Sequence, residues 1–248
     1  MSDLYWLTNA QMARLEPFFP KSHGKPRVDD RRVLSWIIFI NHNDLRWRDA
    51  PAAYGPHKTH YNRWKRWSDK SVFARMMMGL AADHGEEQTV MIDATYLKAH
   101  RTATSMGVKK GGRGRLIGRT KGGMNTKLHA ICDSQGRPLN LFVTDGQVSD
   151  YIGARALLSS LPDVDWLLGD RGYDADWFRD ALKDKGKRPC TPGRKQRKKA
   201  VKYDKRRYRI EIMFGRLKGW RRVATRYDRC PKVFLSAIAL AALVIYWL

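Results

Sequence analysis

Three carboxylates stand in settings that ordinary surface acids avoid. Asp93 follows Val90, Met91 and Ile92 within the stretch QTVMIDATYLKAH (Gln88 to His100), Asp170 ends the run Trp166, Leu167, Leu168, Gly169, and Glu211 lies inside the helical run IEIMFGRLKGW. Short apolar runs rich in strand formers predict strands covered on both faces. A carboxylate at the end of such a strand loses hydration. A cation, a metal ion or several donors must meet its charge, or it stays protonated. Three such acids gathered in one pocket would repel one another without a divalent cation between them, and oxygen-only ligands favour magnesium or manganese. Two such ions, roughly 4 Å apart, can activate water and stabilise the leaving oxygen during in-line attack on a phosphodiester.

Each acid also has a structural reading. Asp93 could be a satisfied buried polar group, Asp170 a loop residue, and Glu211 the partner of Arg207 at i, i+4 spacing. Asp165, Asp174 and Asp176 read as structural: the first begins a strand, Asp174 suits a helix cap, and Asp176 suits the first turn.

The elements that would position these acids follow from periodicity. Residues 1–85 read as a separate helical domain. Thr8 caps a first helix that Pro17 and Pro20 end, and Asp29 or Asp30 opens a second with Val33, Trp36, Ile37 and Ile40 on one face. A third, HKTHYNRWKRW, turns Tyr61 and Trp64 inward and leaves Lys58, Arg63, Lys65 and Arg66 free, and a fourth runs from Ser71 to Ala82. Short helices with a basic, aromatic-studded third member suit a helix-turn-helix DNA reader, and a plain bundle with a solvated charged face is the alternative.

Residues 86–248 change character. After the Asp93 strand, residues 101–127 carry eight basic side chains and no acid among many glycines. This composition suits a mobile loop along phosphates, or merely a solvated linker. Arg113, Arg115, Arg119 and Lys121 are its candidate DNA contacts. No GK[ST] follows a strand at the required spacing, so nucleotide hydrolysis is disfavoured. KLHAICD and LNLFVT flank the turn Ser134-Gln135-Gly136 and predict a hairpin. A helix over 150–161, a strand at 166–169, a helix over 175–184 and a final helix pair over 206–220 and 233–248 complete a mixed α/β sheet with helical cover. On the first helix of that pair, Arg207, Glu211, Gly215 and Lys218 share a stripe beside the apolar face of Ile210, Met213, Phe214 and Leu217.

The net charge of +24, from 48 Lys and Arg against 24 acids, exceeds what solubility requires and implies a polyanionic partner. Nucleic acid is the first candidate; a membrane surface or ribosomal RNA is the alternative. Cys132, Cys190 and Cys230 are odd in number and without a CxxC pair, which argues against a disulfide framework and a zinc site and for a reducing, cytoplasmic setting. No basic region followed by an apolar core opens the sequence. VFLSAIALAALVIYWL, residues 233–248, is uncharged but short for a membrane span, so a buried core helix is expected and no membrane partner.

MIDATYLKAHRTA, GRTKGGMNTKLHA, LLGDRGYDAD and IEIMFGRLKGWRRVATRYDRC resemble the bacterial insertion-sequence transposases of the DDE superfamily, in the group called insertion sequence family five. LTNAQMARLEPFFP and GPHKTHYNRWKRWSD resemble that group's helical N-terminal domain, so the resemblance spans nearly the whole chain. It implies an RNase H-like core, magnesium dependence, and cutting and joining of DNA at the ends of the element. The triad of the family matches Asp93, Asp170 and Glu211. In the family's motif around the glutamate, Arg207 and Lys218 fall in register, but Asp204 holds the tyrosine position, with Tyr203 one residue away.

The resulting expectation is a nucleoid-associated transposase with two magnesium or manganese ions on Asp93, Asp170 and Glu211. Arg207 and Lys218 would hold phosphates. Its partners would be terminal inverted repeats, target DNA and a second copy of itself, as a dimer or higher assembly. The rival is a catalytically decayed relative that binds DNA as a repressor; a third is a basic protein anchored to membrane by its last helix.

Overall fold

The computed structural model describes residues 4–21, 29–83, 88–105, 114–193 and 204–248. Four helices come first: α1 (Asn9–Leu15), α2 (Asp30–Asn43), α3 (His57–Asp69) and α4 (Val72–Ala82). Thr8 accepts from the Gln11 backbone N–H while the Gln11 side chain accepts from Thr8, a reciprocal cap that fixes where α1 begins. α2 is buried continuously from Val33 to Asn41, more than the one face its pattern predicts. α3 turns His60, Arg63, Trp64 and Trp67 inward at helical spacing. Tyr61, expected inside, lies one step off that stripe and is 41% exposed. Arg63, expected free, is buried and donates to Asp30 at 2.7 Å.

The sheet follows in chain order. It begins with β1 (Thr89–Ala99), the short α5 (Arg101–Thr104), β2 (Gly118–Thr120), β3 (Gly123–Asp133) and β4 (Pro138–Asp145). Then come α6 (Asp150–Leu158), β5 (Trp166–Leu168), α7 (Asp176–Asp184) and β6 (Arg188–Cys190). The chain closes with α8 (Tyr208–Lys218), α9 (Arg221–Ala224), β7 (Thr225–Arg226) and α10 (Pro231–Tyr246). The five main strands lie in the order β4, β3, β1, β5, β6, with β3 antiparallel to both neighbours and β5 and β6 parallel to β1. This is the RNase H-like arrangement. β2 adds to β3, and β7 pairs with the end of β1.

Alternation along β1 assigns its residues to two cores. Val90 and Ile92 pack with Ala154, Leu157, Phe178 and Leu182 of α6 and α7, whereas Met91 and Leu97 join the cluster containing Ile210, Met213 and Leu217 of α8. α10 lies in that second cluster. It packs against α2, α3 and α4 and also against α8, α9 and β4. No helix among the described residues is long and apolar enough to cross a membrane, and the uncharged tail is the buried core helix expected.

Two local expectations change. Part of the stretch read as loop is ordered sheet, and residues 106–113 of it lie outside the described residues: Thr126 is fully buried, and β3 pairs with β1 through Asn125. Asp174 is not the cap of α7, because Ala175 holds that position and the Asp174 carboxylate is buried against Arg179 at 2.6 Å.

Arg226 fastens this region. It is fully buried and donates to the carbonyls of Arg115, Leu116, Asp228 and Arg229 and to Thr126 Oγ1, with its guanidinium 5.0 Å from the Phe234 ring centre. Arg226→Met leaves four carbonyls without that donor and is expected to destabilise the protein by on the order of 3 kcal/mol. A urea midpoint equal to wild type would show that the clamp is dispensable.

Candidate active site

β1 and β5 pair in parallel through Thr89–Trp166, Val90–Leu167 and Met91–Leu168, and there β5 ends. Two residues beyond the last pair stand Asp93 on one chain segment and Asp170 on the other. Because strand residues two apart share a face, both follow Met91 and Leu168 onto the side of α8. β7 rejoins the same edge of β1 only at Lys98. Between these pairings the edge of β1 is open, and the cleft lies in that opening.

Asp93 sits at the junction of buried and exposed β1 and accepts from the Ala94 N–H at 2.8 Å. Burial pushes its carboxyl up to about 7; the Ala94 N–H and Arg207 pull it down, and the negative charges of Asp170 and Asp150 push it up. Asp170 accepts from Gly172 N at 2.8 Å, a turn that holds the carboxylate at the strand end. Gly172 is needed there, since a Cβ would lie 2.8 Å from the same oxygen.

α8 closes the cleft. Arg209 donates to Ser134 O, which ties the start of the helix to the β3–β4 turn, and Ile210, Met213, Phe214 and Leu217 are buried. Arg207 lies between two of the acids, 3.0 Å from Glu211 Oε1 and 3.7 Å from Asp93 Oδ2. Lys218 donates to Thr95 Oγ1 at 2.7 Å, and burial lowers its pKa. Thr95 is two residues from Asp93 on the same face, so Lys218 stands beside the acid.

Asp93 and Asp170 thus come together, and Glu211 is joined to Asp93 through the Arg207 guanidinium. Among the described residues no group of three or more His, Cys, Asp or Glu is close enough to hold a metal ion as the side chains stand. The donors nevertheless fit a hard divalent cation. Two carboxylates share one face, burial and the charge of Asp170 raise the Asp93 carboxyl, so that a nearby cation would favour its charged form, and a cation already bridges Asp93 to Glu211.

Two residues that sequence reasoning missed lie on the α6 face of the sheet, behind Asp93. Asp150 opens α6 and acts electrostatically on Asp93 and on the buried Tyr173, while Lys127 holds it at 3.0 Å and also donates to Val148 O. Lys127 is buried and lies over the Tyr96 ring. The pattern KLHAICD identified its strand but gave no signal that its first residue faces an acid.

Of the remaining candidates, Lys58, Lys65 and Arg66 are exposed on α3, and Arg119 and Lys121 are exposed around β2. Arg63 is engaged by Asp30, Arg115 donates to the carbonyls of Ala103, Thr104 and Ser105, and Arg113 lies outside the described residues.

The raised Asp93 pKa has a definite sign in stability. Between the unfolded value of about 4 and the folded value of about 7, the folded protein holds a proton that the unfolded chain has lost, so stability falls as pH rises. In chelator, Asp93→Asn is expected to lack this fall and to gain about 4 kcal/mol on the wild type between pH 4 and pH 8. Urea unfolding at both pH values reads the difference, and parallel pH dependence of the two proteins would contradict it.

Comparison with known proteins agrees with this architecture. The family described as "Transposase DDE domain" matches residues 84–247, and that described as "Putative transposase of IS4/5 family" matches residues 7–77. The chain is 34% identical over 128 residues to "Putative transposase for insertion sequence element IS6501" of Brucella ovis, covering 50% of this chain and 98% of the relative. It is 28% identical over 152 residues to the corresponding protein of insertion sequence element IS402 of Burkholderia cepacia, covering 54% of this chain and 72% of the relative. Among solved structures, the piggyBac transposase in a synaptic complex with hairpin DNA superposes with a TM-score of 0.52 at 9% identity, covering 94% of this chain and 69% of that one. That likeness concerns the fold alone. With the family match spanning two open-ended strands, the cleft and α8, the chain belongs to the DDE-domain transposases of insertion sequences.

Proposed function

We propose that this chain cuts and joins phosphodiester bonds at the ends of an insertion sequence, with Asp93, Asp170 and Glu211 holding two divalent metal ions, magnesium or manganese. The observation that supports this reading is that Asp93 and Asp170 each stand two residues beyond the last parallel pair of β1 and β5 and act on one another electrostatically, with Glu211 linked to Asp93 by one guanidinium. Bound there, the ions would supply an activated water and charge neutralisation at the leaving oxygen. The chain's own groups do the rest. Lys218, anchored on Thr95 beside Asp93, offers a fixed cation to a non-bridging phosphate oxygen. Arg207 balances Asp93 and Glu211 when the cleft is empty of cations and would exchange those carboxylates for a phosphate when cations bind.

In this reading residues 1–85 recognise terminal inverted repeats, with Lys58, Lys65 and Arg66 on the exposed side of α3 contacting backbone phosphates. Residues 86–248 carry the chemistry. Two element ends cut together call for at least two copies, so a dimer or higher assembly on DNA, within the nucleoid, is part of the proposal. A second reading, a DNA-binding protein without catalysis, draws on two observations: Asp204 stands where the family's motif has tyrosine, and it accepts from Arg206 at the entrance to α8.

The test uses labelled duplexes carrying the ends of the element that encodes the chain. With magnesium, the wild type is expected to nick at the element boundary, and Asp93→Ala and Glu211→Ala to nick at least a hundredfold more slowly. Nicking by both variants at the wild-type rate would refute the assignment. Bound but uncut DNA with all three proteins would favour the second reading.

A further inference from the structure

α8 is apolar on two sides. At 100° per residue, Ile210, Met213, Phe214 and Leu217 form the buried face, and Arg207, Glu211 and Lys218 line its border with the cleft. The next strip, away from the core, is Tyr208, Ile212 and Gly215. A solvated strip would carry charge, yet Tyr208 is 52% and Ile212 46% exposed. Gly215 is helical and solvent-facing, and a Cβ built there meets nothing within 4 Å. Among the described residues no neighbouring atom therefore requires glycine, although glycine weakens a helix interior relative to alanine. Elsewhere around this site glycines are needed by the fold itself: Gly172 by Asp170, and Gly136, whose Cβ would lie 3.0 Å from Arg209 O.

We propose that this strip is the bed for an unpaired DNA strand, its bases against Tyr208 and Ile212 and its sugar–phosphate backbone passing over Gly215 between Glu211 and Lys218. The inference rests on the catalytic reading only for what happens to that strand, not for its binding. An unpaired strand fits better than a duplex. Exposed aromatic and aliphatic side chains offer a surface to the faces of bases, which a duplex hides, and Lys218 on one flank and the exposed Arg216 on the other offer cations to the phosphates. Absence of a side chain at Gly215 lets the backbone approach the helix closely where Glu211 and Lys218 stand one to two turns apart.

The full chain, in chelator, is titrated against fluorescein-labelled dT16 and against a blunt 30-base-pair duplex by fluorescence anisotropy. Tyr208→Ala and Gly215→Leu are expected to weaken dT16 binding roughly tenfold each, while duplex binding changes less than twofold. Gly215→Ala is expected to melt at or above the wild-type temperature, and Gly215→Leu close to it, since no atom opposes the added carbon; this separates lost binding from lost folding. Wild-type affinity for dT16 in both Tyr208→Ala and Gly215→Leu would overturn the proposal, as would an equal loss on the duplex. Loss of a dimer in Tyr208→Ala with dT16 affinity retained would identify a contact between copies and overturn it as well. Weakened dT16 binding in the variants, from a wild type that never nicks DNA with magnesium, would leave this surface standing and remove the catalytic reading. Asp93-dependent nicking with unaltered dT16 binding would do the reverse.

Discussion

Negative charge at the end of an apolar strand is the constraint to which the rest of this structure answers. Asp93 cannot be fully hydrated, because Val90, Met91 and Ile92 lead directly into it and its own strand is covered on both faces. Nor can it be fully neutralised from within, since Asp170 and Asp150 add charge of the same sign. The fold meets the problem by setting cations near the acids: Arg207 between Asp93 and Glu211, Lys218 on Thr95, and, on the other face of the sheet, Lys127 on Asp150. A helix that carried only apolar residues toward the sheet would leave that cleft electrostatically open. α8 instead presents charge along one border and apolar surface along the next.

Much of this was legible in the sequence where one side chain type and one period agree. The three acids are out of place by composition alone, and their strand and helix settings follow from runs of apolar residues. The hairpin of β3 and β4, the reciprocal cap of α1 and the buried α10 were likewise readable, because each rests on local chemistry. The resemblance to insertion-sequence transposases added the sheet order, which no local pattern contains.

What escaped was set by distant partners. Arg63 resembles any exposed arginine of a basic helix until Asp30 is brought against it from another helix. Asp174 has the type and place of a helix cap, but Arg179 within the same helix draws it into the interior. The glycine-rich stretch before β3 looks too polar to order itself; Arg226, a hundred residues downstream, supplies the donors that its carbonyls need. β6 and β7 are two or three residues long and carry no periodicity at all. Register with β5 and β1 makes them strands.

The placement of α10 bears on how the protein is made. Helices that the ribosome extrudes early, between Asn9 and Ala82, bury their apolar faces against a helix encoded by residues 231–246. Until that late segment emerges, the early ones have no completed interior, and contacts of this sequence separation close slowly. A chain lacking residues 231–246 would therefore leave the helices between Asp30 and Ala82 without the partner that completes their interior.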